Sequence, residues 1–233
     1  QGAPEPSVVA GHSLGEYSAL VAAGVLQFAD AVSLVQKRGQ FMQSAVPVGE
    51  GSMAAILGLS DEKVQQACAD AASGDVVQAA YFNAPNQVVI AGTTDAVKRA
   101  IEACKSAGAK RAMQLPVSAP FHSALMQPAA ARMAEVLEEV RFSTPTIPVV
   151  QNIDASVHAD ADEIRENLVS QMCGAVLWTD TVLTLVDLGV DTAIECGPGK
   201  VLTGLARRID KSIAGHNILS RQSIGDVIEE IGA

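Results

Sequence analysis

The order of segments along the chain predicts an α/β fold: a parallel sheet covered on both faces, with a smaller α+β subdomain inserted into it. Three observations carry this expectation. Short apolar runs alternate with helical patterns through residues 1–49 and 119–233. Between them, Glu50 to Ser118 follows the order strand, helix, strand, strand, helix, strand, a ferredoxin-like split βαβ unit complete in itself. Near the start, the pentapeptide Gly11-His12-Ser13-Leu14-Gly15 sits between an apolar run and a helix-prone stretch, the setting of a strand–turn–helix elbow with a serine at its tip.

The apolar run Ser7-Val8-Val9-Ala10 reads as the first strand, and Glu16 to Ala23 as the elbow helix. Phe28 to Ser44 has helical spacing, with Phe28, Val32, Val35, Phe41 and Met42 as its apolar face and Gly39 as its one interruption. In the inserted unit, Ser52 to Gly58 is a strand, and Ser60 caps a helix that runs to Ala72. Val76 to Ala80 is extended, Asn83-Ala84-Pro85-Asn86 turns, and Gln87 to Gly92 is the next strand. Thr94-Asp95 caps a helix to about Ala107, and Arg111 to Val117 closes the unit. Beyond it come a helix from Leu125 to Val140 and a strand at Ile147 to Gln151. Helices at Asp162–Met172 and Thr179–Leu188 precede the strand Thr192 to Glu195, which Gly197-Pro198-Gly199 turns into a helix near Lys200.

Composition narrows the function classes. The 233 residues are 48% hydrophobic, enough for a sizeable core, and no run is long enough for a membrane-spanning helix. Gln1 to Pro6 lacks the pattern of a signal peptide, so the sequence reads as cytoplasmic. A net charge of -10 speaks against nonspecific binding to nucleic acid or anionic membrane. The basic clusters Lys105/Lys110/Arg111 and Arg207/Arg208/Lys211 read as solvated helix faces. Cys68, Cys104, Cys173 and Cys196 lie far apart, with no metal-ligand spacing, and read as reduced, mostly buried thiols.

A serine hydroxyl needs a base, and histidine is the usual one. Of the four histidines, His12 adjoins Ser13 on the turn and points elsewhere; His158 reads as exposed loop, and His216 follows a basic helix. His122 lies where a strand ends and a helix is about to start, the region where active-site residues of α/β proteins gather, so it is the leading candidate; a satisfied loop or core histidine is the other reading. Arg38, on the second helix, could hold a substrate carboxylate through two parallel hydrogen bonds, or could be merely solvated.

Taken together, Gly11-His12-Ser13-Leu14-Gly15-Glu16-Tyr17, Arg38-Gly39 with Met42, Ser118-Ala119-Pro120-Phe121-His122-Ser123, Gln171, Trp178 and Gly197-Pro198-Gly199-Lys200-Val201-Leu202 resemble the malonyl-CoA:acyl carrier protein transacylases of bacterial fatty acid synthesis. The acyltransferase domains of polyketide synthases share that fold. The resemblance implies an α/β-hydrolase-like large domain, incomplete in its first part (1–49 and 119–233), and a ferredoxin-like subdomain (50–118). It makes Ser13 the acyl-accepting nucleophile, His122 its base and acid, and Gln171 the residue whose main-chain carbonyl orients the histidine. It makes Arg38 the holder of the malonyl carboxylate, the Leu14 N–H an oxyanion donor, Asn83 a residue facing the interdomain cleft, and Phe121 a bar to 2-methyl branches. The implied partners are malonyl-CoA and acyl carrier protein, used by a monomer with neither cofactor nor metal.

Two departures stand out. The chain has Gly174-Ala175-Val176-Leu177 before Trp178, where the family has a proline, and only ten residues precede Gly11, without the family's G-Q-G loop. The resemblance therefore implies an amino-terminally truncated form with a widened oxyanion site and little transferase activity. Two other classes compete with this reading. An α/β-hydrolase esterase or thioesterase would use His216 with Asp187 or Asp191, and a binding scaffold would hold acyl carrier protein without turnover.

Overall fold

A computed structural model of the chain describes residues 5–231. Residues 1–4 of the opening segment and residues 232–233 of the large-domain stretch therefore lie outside the described residues.

The opening strand is β1 (Val9–Ala10), followed by α1 (Gly15–Ala22) and α2 (Phe28–Ser44). Helix α2 runs unbroken through Gly39, and its buried face is Ala31, Leu34, Arg38 and Met42. Phe28 and Val32, expected on that face, are 72% and 50% exposed. The helical stripe passes through a charged residue, Arg38, so a count of apolar residues alone sets the face wrongly.

Next come β2 (Gly51–Leu57), α3 (Asp61–Ala72), β3 (Val77–Ala84), β4 (Gln87–Thr93), α4 (Thr94–Ser106) and β5 (Arg111–Gln114). The strands form one antiparallel sheet in the order β3-β4-β2-β5, the ferredoxin-like arrangement that the segment order predicts. One face carries Ala54, Ile56, Val88 and Ile90 against α3 and α4. The opposite face carries Met53, Ala80, Val89 and Ala91 against Tyr81, Leu115 and Phe121. Three boundaries differ from the sequence reading. Asn83 and Ala84 belong to β3, and the turn is only Pro85-Asn86, since a tight hairpin needs no more. Strand β5 stops at Gln114, where its ladder with β2 ends. Ser60 and Thr93 occupy the N-cap positions without side-chain cap bonds, and the Thr94 hydroxyl donates instead to the Gly49 carbonyl at 2.7 Å.

A single 3-10 turn (Ala124–Met126) leads into α5 (Gln127–Glu138), and then follow β6 (Val149–Val150), α6 (Ala161–Gln171) and α7 (Trp178–Asp187). The chain continues with β7 (Thr192–Cys196), α8 (Val201–Ile209), β8 (Ala214–Ile218) and α9 (Arg221–Ile231). Among the described residues the parallel strands form two separate pairs, β1 with β6 and β7 with β8, rather than one continuous sheet. The sequence reading misses β8 and α9. The segment Ala214-Gly215-His216-Asn217-Ile218 has no apolar alternation and is a strand because β7 pairs with it. The main core lies between α1, α2, α5 and α6, built from Leu20, Leu34, Met126, Met133, Leu137 and Leu168.

The cysteines also differ from expectation: Cys68 and Cys104 are buried, Cys173 is half-buried and Cys196, the last residue of β7, is exposed. His158, expected in an exposed loop, is half-buried between the carboxylates of Asp154 and Glu163.

Helix α6 ends on Gln171, and its start is held by Asp160, whose carboxylate accepts from the Asp162 and Glu163 N–H groups at 2.9 and 3.0 Å. Asp160→Ala should remove about 1 kcal/mol of stability. The expected shift, measured by calorimetry, is a fall in melting temperature of about 2–4 °C.

Candidate active site

Parallel strands deliver their side-chain chemistry at their carboxyl ends, and both members of the first pair do so here. Strand β1 ends at Ala10 and passes straight into the elbow; β6 ends at Val150 and passes into Gln151-Asn152. The elbow closes tightly because Gly11 has no side chain: a Cβ there would lie 2.0 Å from the carbonyl carbon and oxygen of Gly15. Ser13 is left with φ +52°, a conformation costly for any residue but glycine. Asn152, fully buried, holds it there. Its Oδ1 accepts from the Ser13 N–H at 2.6 Å, while its Nδ2 donates to the Gly11 carbonyl at 2.8 Å.

Ser13 Oγ lies 2.7 Å from His122 Nε2. His122 also has positive φ, +56°, and is 1% exposed. Its Nδ1 stands 2.7 Å from the Gln171 carbonyl and 3.3 Å from that of Gly174. A carbonyl can only accept, so Nδ1 carries the proton and Nε2 is left to accept the serine hydroxyl proton. Burial, with the Arg38 charge second, pushes His122 down to about 3, so the ring is neutral and can act as a base. The Tyr81 ring of β3 stands edge-on to it at 5.0 Å.

Arg38 is 6% exposed and donates through Nη2 to Ser13 Oγ at 3.0 Å and to Gln171 Oε1 at 2.9 Å. Its Nε is buried without a hydrogen-bond partner. The serine oxygen thus donates to a histidine and accepts from a guanidinium, which fixes its orientation. The Leu14 N–H takes part in no hydrogen bond among the described residues. The Ser13 N–H is already committed to Asn152, so the free donor beside the nucleophile is that of Leu14.

The structure therefore brings Ser13, His122, Gln171, Arg38 and the Leu14 N–H to one place. Asn83 stands beside it and pairs with His12, Nε2 to Oδ1 at 2.8 Å, which explains why His12 is not at the serine. Phe121 is half-buried against Met53, Ala80, Val89 and Ala91 of the antiparallel sheet. His216 lies on β8 with its Nδ1 3.2 Å from Glu230, so His122, not His216, is the histidine at Ser13. Among the described residues no group of three or more His, Cys, Asp or Glu is placed to hold a metal ion, and no helix is long and apolar enough to cross a membrane. The sequence reading assigned no role to Asn152, Tyr81 or the buried Glu16. A signal existed for two of them: Asn152 lies just past a strand end, and Glu16 is the one carboxylate in the first turn of α1.

A family model described as the acyl transferase domain matches residues 1–232. The chain belongs to the acyl transferase family. Among relatives of this acyltransferase, the malonyl CoA-acyl carrier protein transacylase of Escherichia coli K12 is 56% identical over 209 residues, covering 90% of this chain and 68% of that protein. The structure of an acyl carrier protein S-malonyltransferase from Vibrio cholerae superposes with a TM-score of 0.95 at 53% identity, covering 96% of this chain and 73% of that one. A malonyl-transacylase in complex with its type II PKS acyl carrier protein matches at TM-score 0.96 and 48% identity, over 98% of this chain and 74% of that one.

Gly11→Ala tests the elbow. Its Cβ meets backbone on the far side of the turn, so the turn must open and carry Ser13 away from His122. Labelling of Ser13 by a serine-directed phosphonate should slow by about 100-fold, the cost of a displacement of roughly 1 Å in a reacting group.

Proposed function

We propose that this acyltransferase moves the malonyl group of malonyl-CoA onto the phosphopantetheine thiol of acyl carrier protein through a malonyl-serine intermediate. The observation that carries the reading is the buried Arg38 guanidinium, one hydrogen bond from the nucleophile. A carboxylate brought beside Ser13 meets that guanidinium, and charge-assisted pairing of that kind is strong.

In the first half-reaction Ser13 Oγ attacks the thioester carbonyl while its proton passes to His122 Nε2. The oxygen of the tetrahedral intermediate takes the Leu14 N–H. The carbon–sulfur bond breaks, and the coenzyme A sulfur takes the proton from His122. The carrier-protein thiol then reverses the sequence: its proton passes to His122 as its sulfur attacks the malonyl ester, the bond between the carbonyl carbon and Ser13 Oγ breaks, and Ser13 Oγ takes the proton back from His122. The Gln171 carbonyl keeps the imidazole in the required tautomer throughout. No step calls for a cofactor.

Charge coupling ties selectivity to rate. Arg38 is the second cause of the low His122 pKa. A bound malonyl carboxylate offsets that charge, so His122 becomes a stronger base when the correct acyl group is present. An acetyl group leaves the guanidinium unpaired and the base weak, which penalises the wrong substrate twice. Phe121 beside His122 narrows the acyl pocket against a 2-methyl branch, and Asn83 with His12 lines the approach from the antiparallel sheet. We assign residues 50–118 to a subdomain that walls the site on that side. A monomer acting in the cytoplasm, away from nucleic acid and membrane, fits the net charge of -10.

Intact-mass measurement after incubation with malonyl-CoA should show one malonyl adduct on the protein and none on Ser13→Ala; an unmodified parent protein would sink the reading. Arg38→Ala should shift preference from malonyl toward acetyl transfer by about tenfold or more, the worth of one charge-assisted hydrogen bond, measured as the ratio of kcat/KM values.

A further inference from the structure

Glu16 is a buried carboxylate beside the nucleophile that the steps above do not use. It lies in the first turn of α1, three residues after the nucleophile, and is 1% exposed. Its Oε1 accepts from Gln151 Nε2 at 3.0 Å, and its Oε2 accepts from the Asn152 N–H at 2.8 Å and from Gln171 Nε2 at 3.0 Å. All three neighbours present N–H groups. Two of them cannot do otherwise: the Asn152 donor is backbone, and the Gln171 amide must turn its nitrogen to Glu16 because its oxygen faces the Arg38 guanidinium, which only donates.

The same two neighbours hold the reacting groups. Asn152 binds the Ser13 N–H, and Gln171 binds Arg38 through Oε1 and the Ser13 carbonyl through Nε2 at 3.2 Å. The amide of Gln171 thus stands between a buried cation and a buried anion. A direct ion pair would consume the guanidinium; the intervening amide orients it and leaves its remaining N–H groups for a ligand.

We propose that Glu16 is a positioning residue of the acyl-transfer site: its carboxylate holds the Gln171 amide in the one orientation that offers an acceptor to Arg38, and so sets the guanidinium for the substrate carboxylate. This rests on Arg38 being the carboxylate holder. The charged and titratable groups facing Glu16 are Arg38 on α2 and Tyr17 on its own helix. Burial pushes Glu16 up to about 7, against the opposing pull of the Asn152 N–H, Gln151, Gln171 and Arg38. Protonation sets an O–H among N–H donors, so the ionised form is the working one, and malonyl transfer weakens as pH falls through about 7. Folding responds in the opposite sense. A carboxyl raised in the folded state adds stability as it takes up its proton, so the Glu16 contribution grows from about 7 down to the ordinary value of 4.5. His122, held at about 3, does not gain a proton in that window.

The test is kcat/KM for malonyl and for acetyl transfer from about pH 8 to about pH 5.5, with melting curves at each pH, for the parent protein, Glu16→Gln and Arg38→Ala. Glutamine keeps one acceptor and removes the charge. In the parent, malonyl transfer should fall by roughly tenfold per pH unit below about pH 7, and the ratio of malonyl to acetyl transfer should fall with it. Glu16→Gln should lack this acidic limb and show a malonyl preference lower by about tenfold at every pH. A Glu16→Gln protein with the parent's limb and the parent's preference overturns the inference while Arg38→Ala still shifts preference; an unchanged preference in Arg38→Ala overturns the carboxylate-holder reading itself. Should Glu16→Gln not fold, the parent decides alone, because a malonyl-to-acetyl ratio constant across the range overturns the positioning role.

Discussion

Arg38 sits in the core with its charge almost out of reach of water, and the surrounding site is arranged around that fact. A buried cation that loses its partners costs about 3–5 kcal/mol, so the groups around it are constrained as firmly as the core. Here the partners are not a carboxylate in contact but a serine hydroxyl and a glutamine carbonyl. The charge therefore remains available while its hydrogen bonds fix its place. It also lowers the basicity of His122, so one residue acts on nucleophile and base together.

Backbone strain is the second ingredient. Ser13 and His122 both have φ in the left-handed region, and both are held there by polar contacts from distant parts of the chain. Asn152 anchors the serine turn from the end of β6, and the carbonyls of Gln171 and Gly174 anchor the imidazole from the end of α6. The antiparallel sheet sets Tyr81 edge-on to the imidazole and ties itself to the same loop through backbone bonds between Val176 and the 80–82 segment. Loop 172–177 is thereby held by the antiparallel sheet at Val176 and by the Asn152 carbonyl at the Leu177 N–H.

How much of this was legible in the sequence depends on the range of each interaction. The elbow, the inserted unit and the placement of His122 at a strand-to-helix junction follow from local signals, and the structure has all three. The buried face of α2 was misread because its stripe contains Arg38, a residue that periodicity counts as polar. Strand β8 escaped notice because its identity comes from its partner, not from its own composition. Glu16 and Asn152 were in plain view, one in the motif and one at a strand end, yet their bonds span 136 and 139 residues of sequence separation, beyond any window. Long-range polar pairing is what the chain encodes least openly.

Gln171 acts twice, and its two actions have different inheritance. Its side-chain amide bridges Arg38 and Glu16, a task that only an amide of that length performs. Its main-chain carbonyl accepts the hydrogen bond from His122 Nδ1, a task any residue with the same backbone could perform. A mutational survey of position 171 would register only the first. The histidine's support is written in the path of the chain rather than in its letters, and so drifts free of selection on side chains while remaining hostage to any insertion or deletion that moves the end of α6.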